Sequence, residues 1–193
     1  MQSKLTMKGF VIDLLKENVP PSYTYHDYHH TLYVMDKALE IAKHDNCTEE
    51  EMRLLDVAAL WHDTGYINVY AGHEEEGCVL ATKYLPQFGF NGNEIKIICG
   101  LIMATRVPQA PQTKLEEILA DADLEYLGTK EVKEKSELLF RELKTIHPDL
   151  TREEWDRTQI SFLKTHRFFT DYCKKHNEPV KHAYLESLLH ALE

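Results

Sequence analysis

Long apolar runs and paired cysteines are both missing from this sequence of 193 residues. No apolar stretch approaches the ~20 residues that a membrane helix needs, and the first residues lack the long apolar core of a signal peptide. None of the cysteines belongs to a Cys-x-x-Cys pair, and they are widely scattered: Cys47, Cys78, Cys99 and Cys173. We therefore expect reduced thiols and a cytoplasmic protein that does not use a membrane.

Positive charge is also scarce, with 22 Lys and Arg against 32 Asp and Glu, which gives a formal net charge of −10. A nucleic-acid polymer is not expected as the main partner, because its backbone is bound by a clustered basic face. A small phosphorylated substrate stays compatible with this charge, since a bound metal ion locally reverses the sign of the field. By contrast, 11 histidines are present, and their positions become the main lead.

Alternation typical of strands is absent beyond four residues, and apolar positions instead recur with a helical period. The sequence predicts an all-α fold of about eight or nine helices in a single domain, residues 1–193. Residues 22–130 would form the functional core, and the helices of residues 131–193 would pack on it. The predicted helices are 4–17, 28–41, 46–63 with its cap, 73–84, 94–104, 113–128, 130–146, 151–176 and 180–192.

A histidine and an aspartate stand side by side at the end of a predicted buried helix. His62 and Asp63 follow the apolar run 54–60, and Gly65 ends the helix. Unpaired in such a place, each polar group would cost several kcal/mol of desolvation. A divalent cation would compensate both, because imidazole nitrogen and carboxylate oxygen are ordinary ligands for such ions. Two adjacent ligands cannot fill a coordination sphere, so others are expected elsewhere.

Two further stretches place ligand-type side chains in structured surroundings. In the segment 26–30, the apolar stripe of the following helix projects back to His30, which we favour over His29. Asp121 and Asp123 lie within an apolar helix and need partners, because aspartate there has poor propensity and a desolvation cost. They point about 200° apart, so one of them is expected at the site. Asp123 is favoured by the face that it shares with its apolar neighbours, and Asp121 remains the alternative.

These elements, in this order, resemble the HD-domain metal-dependent phosphohydrolases. The pattern of that family is one His, then an adjacent His-Asp, then a distant Asp, and the matching positions are His30, His62, Asp63 and Asp123. The resemblance covers about residues 22–130. It implies an HD-type helical bundle and hydrolysis of a phosphate ester, whereas the ligand set alone would also suit an oxygenase.

The resemblance also bears on the number of metal ions. Family members with two metals carry further histidines after the His-Asp pair, but residues 74–120 hold no second His-His or His-Asp pair. We therefore expect one divalent ion, and mixed ligands of this kind admit manganese, magnesium, iron, zinc, cobalt or nickel. Such an ion would lower the pKa of a water molecule and polarise the phosphoryl group, which gives its ligand Asp63 a catalytic role.

Other side chains are assigned roles around that centre. His73, at the start of a helix, is the predicted general acid, because imidazole titrates near neutral pH. A solvated acidic first turn is the rival interpretation of His73 and the glutamates that follow it. His26, Lys83 and Arg106 are predicted phosphate contacts, Arg106 through its bidentate fork.

The expected substrate is a nucleotide or another small phosphate ester, and a homodimer is left open. Two other functions remain from different classes. One is a non-catalytic module that senses a nucleotide, which metal-dependent turnover would distinguish from an enzyme. The other is an iron-dependent oxygenase on the same scaffold, which oxygen dependence would reveal.

Overall fold

The computed structural model describes residues 6–191, and all regular structure in that range is helical. The all-α prediction is therefore confirmed. The described α-helices are α1 Met7–Asn18, α2 Tyr28–His44, α3 Glu49–Trp61, α4 His73–Tyr84, α5 Gly92–Met103, α6 Lys114–Asp123, α7 Val132–Ile146, α8 Arg152–Thr165, α9 Asp171–His176 and α10 Glu178–Ala191. Three short 3-10 helices lie between them: Thr64–Ile67, Leu85–Phe88 and Glu125–Gly128. The outermost predicted helical positions, residues 4, 5 and 192, lie outside the described residues.

Side-chain caps determine where several helices begin. Thr48 and Glu51 form a reciprocal capping box at the start of α3, and Thr151 and Glu154 form another at the start of α8. At α2 the cap is Asp27, whose side chain accepts hydrogen bonds from the backbone amides of residues 29 and 30. Because these amides have no partner within the helix, the cap holds the first turn of α2 in place.

Helix α3 is an interior helix with seven buried residues among its 13, and it packs against α2 on one side and α5 on another. Ala58 and Ala59 are fully buried, and their small side chains let neighbouring helices approach closely. Leu60 and Trp61 complete the buried end of the helix. Full burial of a leucine-sized side chain stabilises the fold by about 1.5–3 kcal/mol, so this run anchors the helix firmly. Its C-terminal end, and with it His62, is consequently fixed in the interior.

Two predicted helices are divided in the structure, and the division of the helix 151–176 into α8 and α9 raises the number of described α-helices to ten. The predicted helix 151–176 ends at Thr165, since His166 adopts an extended conformation with φ −66° and ψ 139°. The Asp121 carboxylate accepts hydrogen bonds from the backbone amides of Phe169 and Thr170, each at 2.8 Å. These amides are satisfied by a distant partner instead of by helical carbonyls, so the break is stable.

The second divided helix is the one predicted for residues 113–128. Helix α6 ends at Asp123, and the chain continues as the 3-10 helix Glu125–Gly128. A Cβ atom at Gly128 would lie 2.3 Å from the Cβ of Asn177, which precedes α10. Glycine is therefore required for this close approach, and it joins the C-terminal helices to the segment that follows α6.

The C-terminal helices share one cluster of buried apolar residues with the N-terminal ones, from Val11 in α1 to Tyr184 in α10. Lys181 of α10 is fully buried, and its ammonium donates to the carbonyl oxygen of His166 at 2.7 Å and pairs with Glu178 at 2.6 Å. Within residues 6–191, no helix combines the length and the apolar composition that crossing a bilayer requires.

Candidate metal centre

Four side chains from three helical regions meet in the interior. His30 comes from the first turn of α2, His62 and Asp63 directly follow α3, and Asp123 is the last residue of α6. One ligand atom each from His30, His62 and Asp123 lies within 4.8 Å of the others. An Asp63 carboxylate oxygen lies 3.1 Å from Nε2 of His62 and 3.4 Å from Nε2 of His30. The structure thus brings the four predicted ligands together.

The His62 imidazole has a defined orientation. Its Nδ1 lies 2.7 Å from the carbonyl oxygen of Ala59, and because a carbonyl only accepts, Nδ1 is the donor. In the neutral ring this leaves the lone pair on Nε2, which is the atom that faces Asp63. In proteins, a hydrogen bond from the ring nitrogen that does not bind the metal fixes the orientation of a metal-binding imidazole.

Two buried atoms of this cluster have no hydrogen-bond partner: Nε2 of His62 and one carboxylate oxygen of Asp63. These two atoms are 3.1 Å apart, but they are not oriented so as to form a hydrogen bond with each other. A buried polar group without a partner costs about 1–3 kcal/mol, and more when it is charged. A divalent cation would satisfy both atoms at once, so the side chains present fit a metal ion.

The electrostatics of the cluster also favour a bound positive charge. Burial works against ionisation of Asp63 and Asp123, but the neighbouring histidines His62 and His30 outweigh it. The pKa of Asp63 falls below its usual range, and that of Asp123 falls to about 2. Burial likewise opposes the imidazolium form of His62, yet the two carboxylates raise its pKa well above the ordinary value. A metal ion would occupy the place of that proton.

His73 lies at the edge of the cluster, at the start of α4. Its Nε2 is 3.6 Å from a carboxylate oxygen of Asp63 and 3.6 Å from one of Glu74. Nδ1 donates to the carbonyl oxygen of Tyr70 at 3.2 Å, and the ring stacks on Tyr66 with centroids 4.0 Å apart. Glu74 is buried, so the rival interpretation of a wholly solvated acidic turn does not describe this helix start.

The approach of α4 to this point depends on Gly65. A Cβ atom at that position would lie 1.9 Å from the carbonyl oxygen of His73, which no ordinary contact allows. Helix α3 ends at Trp61, so Gly65 does not end it as predicted but lies in the 3-10 helix Thr64–Ile67, where the missing side chain lets the first turn of α4 pack closely.

His26 lies beside the cluster and is held by Glu142, a residue that the sequence analysis did not identify. The imidazole Nδ1 donates to the Glu142 carboxylate, which also accepts from the backbone amides of Tyr25 at 2.8 Å and His26 at 3.0 Å. The Tyr70 hydroxyl donates to the same carboxylate at 3.1 Å. Burial lowers the pKa of His26, but the hydrogen bond to Glu142 and the charge of Asp63 outweigh it and raise that pKa.

A sequence signal for Glu142 did exist. Glu142 follows Leu138 by four residues and Leu139 by three, so it shares the apolar face of α7 with them. An acid on such a face is fully buried here, and it was obscured by the many other charged residues of α7.

Two of the three predicted phosphate contacts, Lys83 and Arg106, are exposed side chains outside the cavity lining, so the structure does not support their assignment. Lys83 is exposed, ten residues or about 15 Å along α4 from His73, with its ammonium 4.8 Å from the ring centroid of Tyr84. Arg106 is also exposed and pairs with Glu75 on the surface. Neither side chain lines the cavity described below.

Asp121, the alternative ligand, also faces away from the cluster. Its carboxylate accepts hydrogen bonds from the amides of Phe169 and Thr170 and from the Thr170 hydroxyl, the last at 2.7 Å. Burial raises the pKa of Asp121 to about 6, although the hydrogen bonds from Thr170 oppose that rise. Asp121 thus holds the segment between α8 and α9, and Asp123 is the aspartate beside the two histidines.

A cavity of about 370 Å³ adjoins the cluster. Asp63, His73 and Asp123 line it at one end, together with His26. The opposite wall comes from α7, α8 and α10, beyond the predicted core of residues 22–130. The polar cluster therefore opens onto a space large enough for a small organic molecule.

The segment that carries the cluster matches a known family. The HD domain family matches residues 27–125, which include all four clustered side chains. This chain belongs to the HD-domain family. A crystal structure of a predicted HD superfamily hydrolase from an uncultured Thermotogales bacterium is similar to it, with a TM-score of 0.62 and 24% identity. That similarity covers 95% of this chain and 90% of the other and shows a shared fold, whereas no curated protein matches this chain.

The helices within the HD-domain match and those beyond it contribute different parts of the site. Helices α2 to α6 lie within residues 27–125 and supply the four clustered side chains. Helices α7 to α10 lie beyond the match and supply Glu142 and the far wall of the cavity. The surroundings of this HD-domain centre are therefore built in large part by the C-terminal helices.

Proposed function

We propose that this protein is a metal-dependent phosphohydrolase that acts on a small phosphate ester. The observation that carries the proposal is the pair of buried, unpartnered atoms on His62 and Asp63, beside a cavity of ligand size. Membership of the HD-domain family supports it, as does the description of the similar Thermotogales protein as a predicted hydrolase.

His30, His62, Asp63 and Asp123 would hold one divalent ion, since their ligand atoms already converge. When bound, such an ion supplies an activated water nucleophile and Lewis-acid stabilisation of the phosphoryl oxygens. The two carboxylates stay ionised because the adjacent histidines lower their pKa values, so they remain able to bind a cation at neutral pH.

His73 would transfer a proton from Nε2 to the leaving oxygen of the ester. Its Nδ1 is engaged by the Tyr70 carbonyl, and its ring is stacked on Tyr66, so Nε2 stays directed at the cavity end. His26 lines the same end, and its raised pKa favours an imidazolium whose Nε2, now 3.1 Å from the Tyr66 hydroxyl, would contact a phosphate oxygen in place of that hydroxyl. Glu142 orients that ring.

The test combines metal analysis with phosphate release. Purified protein, loaded with manganese, should hold about one metal ion per chain and release inorganic phosphate from ester substrates, and chelation should abolish the release. Metal bound without turnover of any ester would contradict the enzyme assignment and favour a sensing module. Turnover that consumes oxygen would instead identify an oxygenase.

The first prediction concerns the ligands themselves. His62→Ala and Asp63→Ala should each lose bound metal and reduce phosphate release by at least about 100-fold, because the remaining side chains leave the ion incompletely held. Circular dichroism should show unchanged helical content, and metal content should be measured by elemental analysis.

A matched pair of variants at the start of α2 provides the control. His30→Ala should lose metal, whereas His29→Ala should retain it, because the His29 side chain is largely exposed and its imidazole pairs with Asp27. Full metal content in both His62→Ala and Asp63→Ala would show that the ligand assignment is wrong.

A further inference from the structure

The cavity beside the metal centre has two chemically different ends. The polar end carries Asp63, His73 and Asp123. The far end is lined by apolar and aromatic side chains from the C-terminal helices, among them Leu139 of α7 and Trp155 and Phe162 of α8. A molecule that reaches from one end to the other must therefore present a charged group to the first and apolar surface to the second.

Counter-charge for several phosphate groups is missing from the described walls. No lysine or arginine lines the cavity among residues 6–191, and Glu74 adds a third carboxylate to those of Asp63 and Asp123. A divalent ion and the His26 side chain would both lie at the polar end, so they can contact only a phosphoryl group bound there. A second or third phosphate farther along the cavity would meet no cation on the described walls, at a cost of several kcal/mol for each buried charge. These walls therefore favour a ligand with one phosphoryl group.

Several polar groups of the far wall are already paired with one another, whereas the indole Nε1 of Trp155 is buried without a hydrogen-bond partner. The hydroxyls of Ser136 and Tyr184 both donate to the side-chain oxygen of Gln159, that of Tyr184 at 2.8 Å. The Gln159 amide nitrogen donates to Asp156 at 3.1 Å. A nucleobase buried against this wall would lose several hydrogen bonds to water, and the unpartnered donor of Trp155 could replace only one of them, which penalises the base. An apolar group makes no hydrogen bonds to water, so it loses none when it is buried against this wall.

We propose that the substrate is a phosphate monoester of an apolar, ring-bearing alcohol. Its phosphoryl group would lie at the metal centre, and its apolar body would pack against Leu139, Trp155 and Phe162. The proposal rests on the proposed phosphohydrolase function. Water attacks phosphorus, the ester P–O bond breaks, and the leaving alkoxide takes up a proton, so the products are inorganic phosphate and the free alcohol.

The substrate test uses three monoesters whose leaving groups are primary alcohols, so that their intrinsic reactivity is similar, and ATP, an anhydride whose terminal phosphoryl group leaves from ADP. The values of kcat/KM are compared for 2-(1-naphthyl)ethyl phosphate, glycerol 1-phosphate, AMP and ATP, all with manganese. The naphthyl ester should exceed glycerol 1-phosphate and AMP by roughly tenfold or more, because its rings bury apolar surface. ATP should be the poorest. Higher kcat/KM for AMP or ATP than for the naphthyl ester would overturn the proposal.

Two neighbouring leucines of α7 give a matched pair of variants. Leu138 and Leu139 are both half-buried and both pack against the core, but only Leu139 lines the cavity. Leu139→Ala should raise the KM for the naphthyl ester relative to that for glycerol 1-phosphate by roughly 3–10-fold with little change in kcat, as loss of uniform binding predicts. Leu138→Ala should leave that ratio unchanged. Equal effects of the two variants would count against the proposed binding wall.

A binding measurement distinguishes failure of this proposal from failure of the proposed function. Metal-loaded protein is titrated calorimetrically with 2-(1-naphthyl)ethylphosphonate and with methylphosphonate, and the first should bind at least about tenfold more tightly. Tight binding without hydrolysis of any ester would overturn the phosphohydrolase but support the ligand class. Hydrolysis of phosphate esters together with equal affinity for the two phosphonates would support the phosphohydrolase but overturn the proposed ligand class.

Discussion

At the scale of single residues, four side chains from three separate segments of the chain converge on the candidate metal centre. Three of them can be recognised in the sequence without knowledge of the fold. They are a histidine and an aspartate at the end of an apolar run, and an aspartate in an apolar helix. Their proximity is observed, and their role as metal ligands stays a prediction. Lys83 and Arg106 were chosen for charge alone, and nothing local shows which way such long side chains point.

Glu142 illustrates the opposite case, since its importance depends on residues more than 100 positions away. Glu142→Gln should keep the shape of the side chain but remove the charge that supports the imidazolium of His26. We expect the pKa of His26 to fall, since the Glu142 hydrogen bond is the foremost contribution that raises it. NMR titration of the histidines measures this directly, and kcat should fall by roughly 10–100-fold.

The control for this prediction is Glu134→Gln, which removes a charge from the exposed face of the same helix. Metal content should remain unchanged in both variants, because Glu142 does not belong to the ligand cluster. A His26 titration curve identical in Glu142→Gln and the unaltered protein would contradict the positioning role.

At the scale of helices, apolar periodicity and caps located most elements. The capping boxes of Thr48–Glu51 and Thr151–Glu154 are local in sequence. Helix α8 begins at its predicted cap, and α3 begins at Glu49, within the predicted range 46–63. The break between α8 and α9 was not predictable in this way. Its cause is the Asp121 carboxylate, which is 48 positions from Phe169 and meets it only after folding.

The two aspartates of α6 should therefore respond differently to substitution. Asp121→Ala removes the acceptor for three hydrogen bonds and should lower the free energy of unfolding by about 2–4 kcal/mol while leaving metal content intact. Asp123→Ala should instead lose metal. Urea unfolding and elemental analysis of both variants check this. Loss of metal from Asp121→Ala with retention by Asp123→Ala would reverse the assignment.

At the scale of the whole molecule, the C-terminal helices complete what the HD-domain segment begins. They supply the Glu142 contact, the far cavity wall and the group formed by the buried Lys181 with Glu178 and His166, which joins the end of α8 to α10. Composition and periodicity could predict that these helices exist, but not which faces turn toward the site. Ligand specificity is therefore expected to differ among HD-domain proteins wherever these helices differ.

The group around Lys181 also makes stability depend on pH. Burial and, next, the Lys181 ammonium lower the pKa of His166 to about 4, from about 6.5 in an unfolded chain. Between these values the unfolded chain binds a proton that the folded protein does not, so this contribution to the free energy of unfolding falls as pH falls. We expect His166→Gln to remove about 1–2 kcal/mol of the difference between pH 7.5 and pH 5, measured by urea unfolding of metal-loaded protein. The exposed-histidine control His147→Gln should leave that difference unchanged, and equal pH dependence in all three proteins would show that His166 is not the group responsible.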